Sequence, residues 1–201
     1  MKVSKNQGGC GSCWAFSTIG SIEARSEKAG KGYIPLSEQQ LVDCVTTSKG
    51  CRGGNVGGAL VYSQQAGNCG ESDYVYTHTD GTCKDKRYPI RNHHVAGKKP
   101  VRGSAALKQE LVNGPVSVAI EADQPVFQHY KSGVIRPSDC GKKIDHAVVA
   151  IGYGTESGQD YFLIRNSWGP NWGNNGTVKL GYTSSECACA CDRYPVAAII
   201  Q

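Results

Sequence analysis

Long apolar runs are missing from this sequence, and so is a large excess of charge of one sign. The longest apolar stretches, such as 147–151 and 196–200, are five residues long, whereas a membrane-spanning helix needs about 20. The chain has 22 lysines and arginines against 17 aspartates and glutamates, and no dense basic run is interleaved with aromatic residues. We therefore expect neither a membrane nor a nucleic acid as a partner.

Cysteine is the residue in excess. Ten cysteines among 201 residues are too many for a reducing compartment unless they bind metal. Cys10 and Cys13 have the spacing of one half of a zinc site, but no second half follows at the distance typical of zinc fingers. We therefore predict disulfides, an oxidising compartment and no metal site. Residues 1–6 lack the apolar core of a secretory signal, so we expect a piece of a longer precursor.

Helical patterns dominate the first half of the chain. Ser12 is the expected cap of a helix whose apolar residues recur at helical spacing and which stops at Gly30. A second helix begins at Ser37, which is expected to form a capping box with Gln40. Further helices are predicted at 56–65 and 105–112.

The second half of the chain is predicted to form strands. Apolar and β-branched stretches lie at 116–120, 147–153, 161–165 and 176–180. Helices first and an antiparallel sheet second are typical of an α+β fold with two lobes. We place a mainly helical lobe at 1–100 and a β-rich lobe at 101–201, whose extreme C-terminus can cross back to the helical lobe.

A cysteine, a histidine and an asparagine in these elements favour nucleophilic catalysis. Cys13 stands at the first turn of a predicted helix, where backbone N–H groups and the helix dipole stabilise a thiolate. Such a nucleophile needs a base, and His146 immediately precedes an apolar strand. Asn166, at the end of another predicted strand, can orient the imidazole through its side-chain carbonyl.

Three segments around these residues resemble those of papain-like cysteine peptidases. They are residues 7–16 around Cys13, residues 143–147 around His146, and residues 166–173, which begin at Asn166. Further matches lie at 36–44, 50–54 and 114–117. The resemblance covers essentially the whole chain and is specific, because three separate segments occur in the right order.

The resemblance implies a papain-like two-lobed α+β fold. Its N-terminal lobe is helical, its C-terminal lobe is an antiparallel, barrel-like β structure, and the active site lies in the cleft between them. It also implies that Cys13 attacks the scissile carbonyl and that His146 protonates the leaving amine. Asn166 would orient the imidazole beneath Trp168. The side-chain amide of Gln7 and the backbone N–H of Cys13 would form the oxyanion hole.

The resemblance also implies a set of substrate-binding residues. They are Gly11, Gly53, Gly54, Asn55, Val56, Ala119, Ile144, Asp145 and Trp168. The mostly apolar walls predict a preference for an apolar residue at the second position before the cut. The floor of that pocket is open to two interpretations. Counting back from 194–195 places Cys191 there, the neutral alternative that we favour. Counting forward from Cys187 places Asp192 there, whose carboxylate would select arginine.

By the same resemblance, disulfides are implied between three pairs of cysteines. They join Cys10 to Cys51, Cys44 to Cys83 and Cys140 to Cys187. Cys69, Cys189 and Cys191 have no assigned partner, because papain-like enzymes do not usually carry an alternating cysteine-alanine run. Asn175 begins a glycosylation sequon, and the sequence leaves its use open.

The predicted function is that of a cysteine endopeptidase, which hydrolyses peptide bonds through a thioester and needs no cofactor. Its partners would be protein or peptide substrates and inhibitor proteins of the cystatin type. We expect a monomer in a lysosome or vacuole, or a secreted protein. The alternative is a catalytically impaired homologue that binds peptides or inhibitors. A transglutaminase-like acyl transferase is disfavoured, because an aspartate usually orients its histidine, whereas Asn166 stands here.

Overall fold

The computed structural model describes residues 3–201, which form two compact units. The helical unit comprises 7–99 and 198–201, and the sheet unit comprises 3–6 and 100–197. The expected lobe of residues 1–100 is therefore corrected at its start, because 3–6 belong with the sheet unit. These residues are bonded to the sheet unit, since Ser4 Oγ donates to the carbonyl oxygen of Asn166 at 2.7 Å.

The helical unit is built on α1 (Cys13–Lys28), α2 (Glu38–Cys44) and α3 (Val56–Ala66). It also contains 3-10 turns at Gly50–Arg52 and Asp85–Arg87, and the strands β1 (Asn68–Cys69), β2 (Ile90–Asn92) and β3 (Val95–Pro100). Ala15, Ile19 and Ile22 recur with the helical period along α1, and their burial fixes that helix in the core. No helix of residues 3–201 has both the length and the apolar character needed to cross a membrane.

The sheet unit contains α4 (Ser104–Asn113), α5 (Pro125–Gln128) and a large sheet. Its strands are β4 (Val116–Ile120), β5 (Val134–Ile135), β6 (His146–Glu156), β7 (Gln159–Arg165), β8 (Thr177–Gly181) and β9 (Val196–Ile200). They lie in the order β9-β4-β6-β7-β8-β5, with β5 parallel to β8 and antiparallel pairs from β4 through β8. β9 begins beside β4, and its last residues belong to the helical unit, where β3 is its neighbour.

The core of the sheet unit lies where α4 packs against β4 and β6. Val118 of β4 pairs with Val148 of β6, and both side chains are buried. Phe162 and Ile164 are buried at alternate positions of β7, as a strand with one face in the core requires. The predicted helices and strands are confirmed, with ends that differ by a few residues. The sequence did not predict β1, β2, β3, β5 or β9.

The caps of two helices differ from their predictions. Ser12 makes no side-chain bond within α1, because its hydroxyl pairs with Tyr76 Oη at 2.7 Å. Ser37 does cap α2, where its Oγ accepts from Gln40 N at 3.0 Å. The return bond of a capping box is replaced, since Gln40 Oε1 accepts from Cys69 N at 2.7 Å.

Within residues 3–201 the cysteines form four disulfides. They join Cys10 to Cys51, Cys44 to Cys83, Cys140 to Cys189, and Cys187 to Cys191. The pairing of Cys140 with Cys187 that the resemblance implied is therefore wrong. Cys189 adopts a left-handed backbone conformation with φ 54°, and its carbonyl accepts from Glu121 N at 2.9 Å. This turn brings Cys189 to Cys140 and leaves Cys187 and Cys191 with Cα atoms 5.4 Å apart.

Candidate active site

Cys13 is the first residue of α1, is half-buried and lies outside the four disulfides. The carbonyl of Ser12 accepts from Ala15 N at 2.9 Å and from Phe16 N at 3.1 Å, so the helix begins directly at the cysteine. The N–H groups of a first helical turn have no partners within the helix and attract an anion. The position thus favours a thiolate.

The nucleophile loop, residues 7–12, is tied to the 3-10 turn that follows α2. Besides the disulfide between Cys10 and Cys51, Gly11 N donates to the carbonyl of Cys51 at 2.8 Å. A side chain on Gly11 would collide with that same carbonyl oxygen. Gly11 is therefore required for the close approach of two backbone segments.

Gln7 begins this loop, and its side chain is buried. Its Nε2 donates to the carbonyl of Cys10 at 3.0 Å, and its own carbonyl accepts from Tyr76 Oη at 2.7 Å. His78 Nδ1 lies 3.3 Å from the same carbonyl. The backbone of Gln7 is thus held by Tyr76, and its side-chain amide is directed by the bond to Cys10.

In the sheet unit, His146, Asn166 and Trp168 form the histidine cluster. His146 is the first residue of β6, and its Nε2 lies 2.8 Å from Asn166 Oδ1. That oxygen also accepts from Ser167 N at 2.8 Å, so the oxygen of the amide faces the imidazole. Since a carbonyl oxygen only accepts, Nε2 carries the proton and Nδ1 is the basic nitrogen.

Burial controls the charge of the imidazole. The ring of Trp168 lies 5.0 Å from that of His146, centroid to centroid, and His146 is buried. Burial lowers the pKa of His146 to about 4, and the bond to Asn166 opposes this only in part. Without a negative partner, the folded protein therefore holds His146 neutral at pH 7.

Trp168 is held in place by other aromatic residues. Phe127 meets Trp168 edge to face at 5.6 Å and contacts Trp172 at 5.0 Å. Trp172 Nε1 donates to the carbonyl of Gln128 at 3.0 Å, which fixes the second indole. The aromatic residues that follow Asn166 thus form one packed layer that covers the imidazole.

The segment 3–6 supports the cluster from the other side. Asn6 forms a β-bridge with Trp168, and Gly169 N donates to the carbonyl of Lys5 at 3.0 Å. Asn166 Nδ2 is buried and finds no acceptor among the residues that the structure describes. Sequence reasoning missed the role of Ser4, and no local signal marks it, because its partner Asn166 lies 162 residues away.

The expected substrate-binding residues of the helical unit lie at the start of α3. Gly53 has φ 111°, which favours glycine, and a side chain on Gly54 would collide with the indole of Trp14. Asn55 is exposed and caps α3, since its Oδ1 accepts from Gly58 N at 3.0 Å. Val56, the first residue of α3, is half-buried.

In the sheet unit, Ala119 and Ile144 are half-buried, as residues that contact a ligand would be. Asp145 N donates to the carbonyl of Ile120, and its carboxylate accepts from Ala122 N at 2.7 Å. Partial burial raises the pKa of Asp145, and the bond from Ala122 N opposes the shift. Asp145 thus fixes the chain directly before the histidine.

The two candidates for the pocket floor differ in exposure. Cys191 has no exposed surface and bonds to Cys187, so our preference for it as a substrate contact is wrong. Asp192 is half-buried and accepts from Ser104 Oγ at 2.8 Å. It lines a cavity of about 240 Å³ together with Lys142 and other residues, but Val56, Ala119 and Ile144 do not line that cavity. Exposure alone therefore favours Asp192 over Cys191.

Comparison with known proteins decides the family. The family described as papain family cysteine protease matches residues 1–199 of the chain. The chain belongs to this family. Chymopapain from Carica papaya is 42% identical over 192 residues, which cover 94% of this chain and 54% of chymopapain. Germination-specific cysteine protease 1 from Arabidopsis thaliana is 42% identical over 202 residues, covering 96% of this chain and 54% of that protein.

Solved structures of the same family have the same fold. A cysteine protease from Carica candamarcensis in complex with E-64 matches with a TM-score of 0.93 and 35% identity, covering 100% of this chain and 94% of that one. The bromelain protease from Ananas comosus, also in complex with E-64, matches with a TM-score of 0.93 and 33% identity, and the match again covers 100% of this chain and 94% of that one. This papain-family chain therefore has the papain-like α+β fold, and it spans about half the length of the curated relatives it matches.

One group of potential metal ligands occurs among the described residues of this papain-family chain. The ligand atoms of Cys44, Cys83 and Asp85 lie within 4.8 Å of one another. Cys44 and Cys83 are bonded to each other, so they offer no thiolate to a metal ion. The group is better understood as a disulfide next to a surface carboxylate.

Proposed function

We propose that this chain hydrolyses peptide bonds as a cysteine endopeptidase. The observation that carries the proposal is the histidine cluster, in which His146 is buried, neutral and oriented by Asn166. In a papain-family chain with a cysteine at a helix N-terminus, such an imidazole is suited to act as base and acid. Four disulfides are typical of an oxidising compartment.

The proposed reaction starts with proton transfer from Cys13 to His146 Nδ1. The sulfur attacks the scissile carbonyl carbon, and the resulting oxyanion accepts hydrogen bonds from Gln7 Nε2 and the backbone N–H of Cys13. The carbon–nitrogen bond then breaks, and the leaving amine takes the proton from His146. A thioester with Cys13 remains.

Water completes the cycle. It gives a proton to His146 and attacks the thioester carbonyl, and the thiolate leaves as the carboxylic acid is released. Asn166 holds the imidazole in the tautomer that leaves Nδ1 free to exchange protons, and Trp168 keeps bulk water from the bond between His146 and Asn166.

We further propose that the substrate residue at the second position before the cut contacts Val56, Ala119, Ile144 and Asp192. The three apolar members favour an apolar side chain. Because Asp192 already accepts from Ser104 Oγ, its charge is partly satisfied and selects arginine only weakly. Phe-Arg substrates should therefore be cleaved better than Arg-Arg substrates, and Asp192→Asn should widen the difference. Equal kcat/KM values for both substrates would contradict this assignment.

Other partners and the location are also proposals. The chain is proposed to act as a monomer on proteins and peptides, in a lysosome or vacuole or outside the cell, and to bind inhibitor proteins of the cystatin type. The similar structures from Carica candamarcensis and Ananas comosus were solved with E-64, which supports the proposal that this chain also binds inhibitors.

The test uses the two cysteines that lie outside the disulfides as a matched pair. Cys13→Ala should abolish cleavage of a fluorogenic Phe-Arg peptide and labelling by a thiol-directed epoxide. Cys69→Ala should change neither, because Cys69 is buried and its pKa is raised to about 11 by that burial and by nearby Asp85 and Asp73. Full activity of Cys13→Ala would overturn the proposal. A wild-type chain that is labelled at Cys13 but cuts no peptide would support the impaired homologue instead.

A further inference from the structure

The phenol of Tyr76 joins two residues of the nucleophile loop. Its Oη lies 2.7 Å from the carbonyl oxygen of Gln7 and 2.7 Å from Ser12 Oγ. We propose that Tyr76 is a positioning residue that sets the distance between the two donors of the oxyanion hole. This role rests on the proposed function, since it needs a reaction that passes through an oxyanion.

The hydrogen bonds have a fixed direction. The Gln7 carbonyl only accepts, so the single proton of the Tyr76 hydroxyl is donated to it. Ser12 must therefore donate its own proton to the phenol oxygen. Because the Tyr76 hydroxyl both donates and accepts, the two bonds polarise each other and are stronger together than two separate bonds.

The two ends of this hydrogen-bond chain, Gln7 and Ser12, are the residues that matter for the oxyanion. Gln7 carries one donor on its side chain, and Ser12 directly precedes the backbone N–H of Cys13, which is the other donor. Two donors stabilise one developing charge only if both lie at hydrogen-bond distance from the same oxygen. The phenol bonds the backbone of Gln7 and the side chain of Ser12, and in this way it sets the gap between the two donors.

Ser12 indicates that this contact is more than incidental packing. It is fully buried, and it occupies the position before α1 where a serine normally caps the helix. Its hydroxyl makes no such bond and is directed to Tyr76 instead. The helix thus gives up a local stabilising bond in favour of a link to the other end of the loop.

The ring of Tyr76 packs against two other rings. Phe16 meets it edge to face at 5.0 Å, and the imidazole of His78 lies at 4.5 Å. Burial raises the pKa of Tyr76, and Glu38 adds to the shift while the bond to Ser12 opposes it. The phenol therefore stays protonated and can donate at any pH at which the enzyme is expected to work.

The decisive variant is Tyr76→Phe, which removes the hydroxyl and keeps the ring. We expect kcat for a Phe-Arg peptide to fall about tenfold with KM within about twofold, as for a weakened oxyanion hole. Alkylation of Cys13 by iodoacetamide should keep its wild-type rate, because displacement of iodide forms no oxyanion. Ser12→Ala should also lower kcat, by a smaller factor, and leave KM and the rate of alkylation unchanged.

Tyr74→Phe is the matched control. Tyr74 lies two positions away, and its hydroxyl donates to Asp43 Oδ2 at 2.7 Å rather than to the nucleophile loop. This variant should leave kcat unchanged, and any loss of stability from the missing hydroxyl will appear in its melting temperature alone. A fall in kcat equal to that of Tyr76→Phe would overturn the proposal.

A second readout separates positioning from general damage. In a Gln7→Ala background, Tyr76→Phe should have no further effect on kcat, because the donor that it positions is gone. Additive effects, a parallel fall in alkylation, or an unchanged kcat in Tyr76→Phe would each overturn the proposal. A wild-type chain that is alkylated but cuts no peptide would instead refute the proposed function and this role with it.

Discussion

The nucleophile loop and the histidine cluster begin at opposite kinds of element and are held by different means. Cys13 starts a helix, and its loop is joined to a neighbouring turn by the Cys10–Cys51 disulfide and by the backbone bond from Gly11. His146 starts a strand and is fixed through side chains, by Asn166 on one ring nitrogen and Trp168 against the ring.

The two regions therefore tune their reactive groups, the Cys13 thiol and the His146 imidazole, in different ways. Around Cys13, exposed backbone N–H groups supply partial positive charge, so the position of the main chain decides the outcome. Around His146, exclusion of water sets the pKa, so packing decides it. Substitutions in the first region should act on kcat through geometry, and those in the second through the protonation of the imidazole.

The largest expected effect is that of His146→Ala. Without an acid and base, kcat/KM should fall about 10³-fold, while the fold persists because the small side chain leaves the strand bonds of β6 intact. Steady-state assays with a fluorogenic peptide measure this. His129→Ala, which changes an exposed histidine of the same unit, should be neutral. A fall of less than tenfold in His146→Ala would mean that another group is the base.

Gln7→Ala should lower kcat about 10²-fold with little change in KM, because its amide donates most strongly to the charged oxyanion. Initial-rate curves over a range of substrate concentrations give the two constants separately. Gln64→Ala, at an exposed position of α3, serves as the control. A change confined to KM would identify Gln7 as an ordinary substrate contact.

Acid should weaken the folded state through His146. Its folded pKa of about 4 lies below the unfolded value of 6.5, so the unfolded chain binds the proton first as the pH falls. Cys13→Ala has no thiolate to stabilise an imidazolium. In this variant the contribution of His146 to the free energy of unfolding is complete above pH 6.5. It should decrease by about 2 kcal/mol at pH 5.

Urea unfolding of Cys13→Ala at pH 8 and pH 5, compared with Cys13→Ala combined with His146→Gln, isolates this contribution. An equal pH dependence in both proteins would show that burial does not control the imidazole. The signal of His146 in NMR titrations should also move to a higher pKa when Cys13 is restored, since a thiolate partner favours the charged ring.

Asn166→Ala should have the smallest effect of these variants. It removes one hydrogen bond to the imidazole, worth about 1 to 1.5 kcal/mol, so kcat should fall about tenfold and remain measurable. Asn171→Ala changes an exposed asparagine of the same segment and should leave the rate unchanged. Complete loss of activity in Asn166→Ala, with the fold intact, would show a direct part in the reaction.

Much of the fold follows from periodicity in the sequence. The spacing of Ala15, Ile19 and Ile22 marks the buried face of α1, and the β-branched residues at 116–120 mark β4. The roles expected of Cys13, His146 and Asn166 follow from the segments around them, and the structure shows the contact between the latter two. These features are local, which is why the sequence reveals them.

The features that the sequence did not reveal depend on distant partners. The cap expected of Ser12 was wrong because Tyr76, 64 residues away, takes its hydroxyl. The partner of Cys140 was wrong by two positions because the left-handed turn at Cys189 has no glycine or asparagine to signal it. Tyr76 itself was overlooked because nothing in the segment 74–76 marks a tyrosine that reaches Gln7.

Each unit contains a short segment from the far end of the sequence: 3–6 belong to the sheet unit and 198–201 to the helical unit. This arrangement affects how the chain folds. The guanidinium of Arg25 in α1 is buried and donates to the carbonyl of Ala198 at 3.0 Å, a contact that spans 173 residues. Until that contact forms, residues 7–99 lack the last strand beside β3, and the Arg25 guanidinium lacks the Ala198 carbonyl as an acceptor. Neither unit can be completed from a continuous stretch of chain, so the search for such remote pairings should make folding slow.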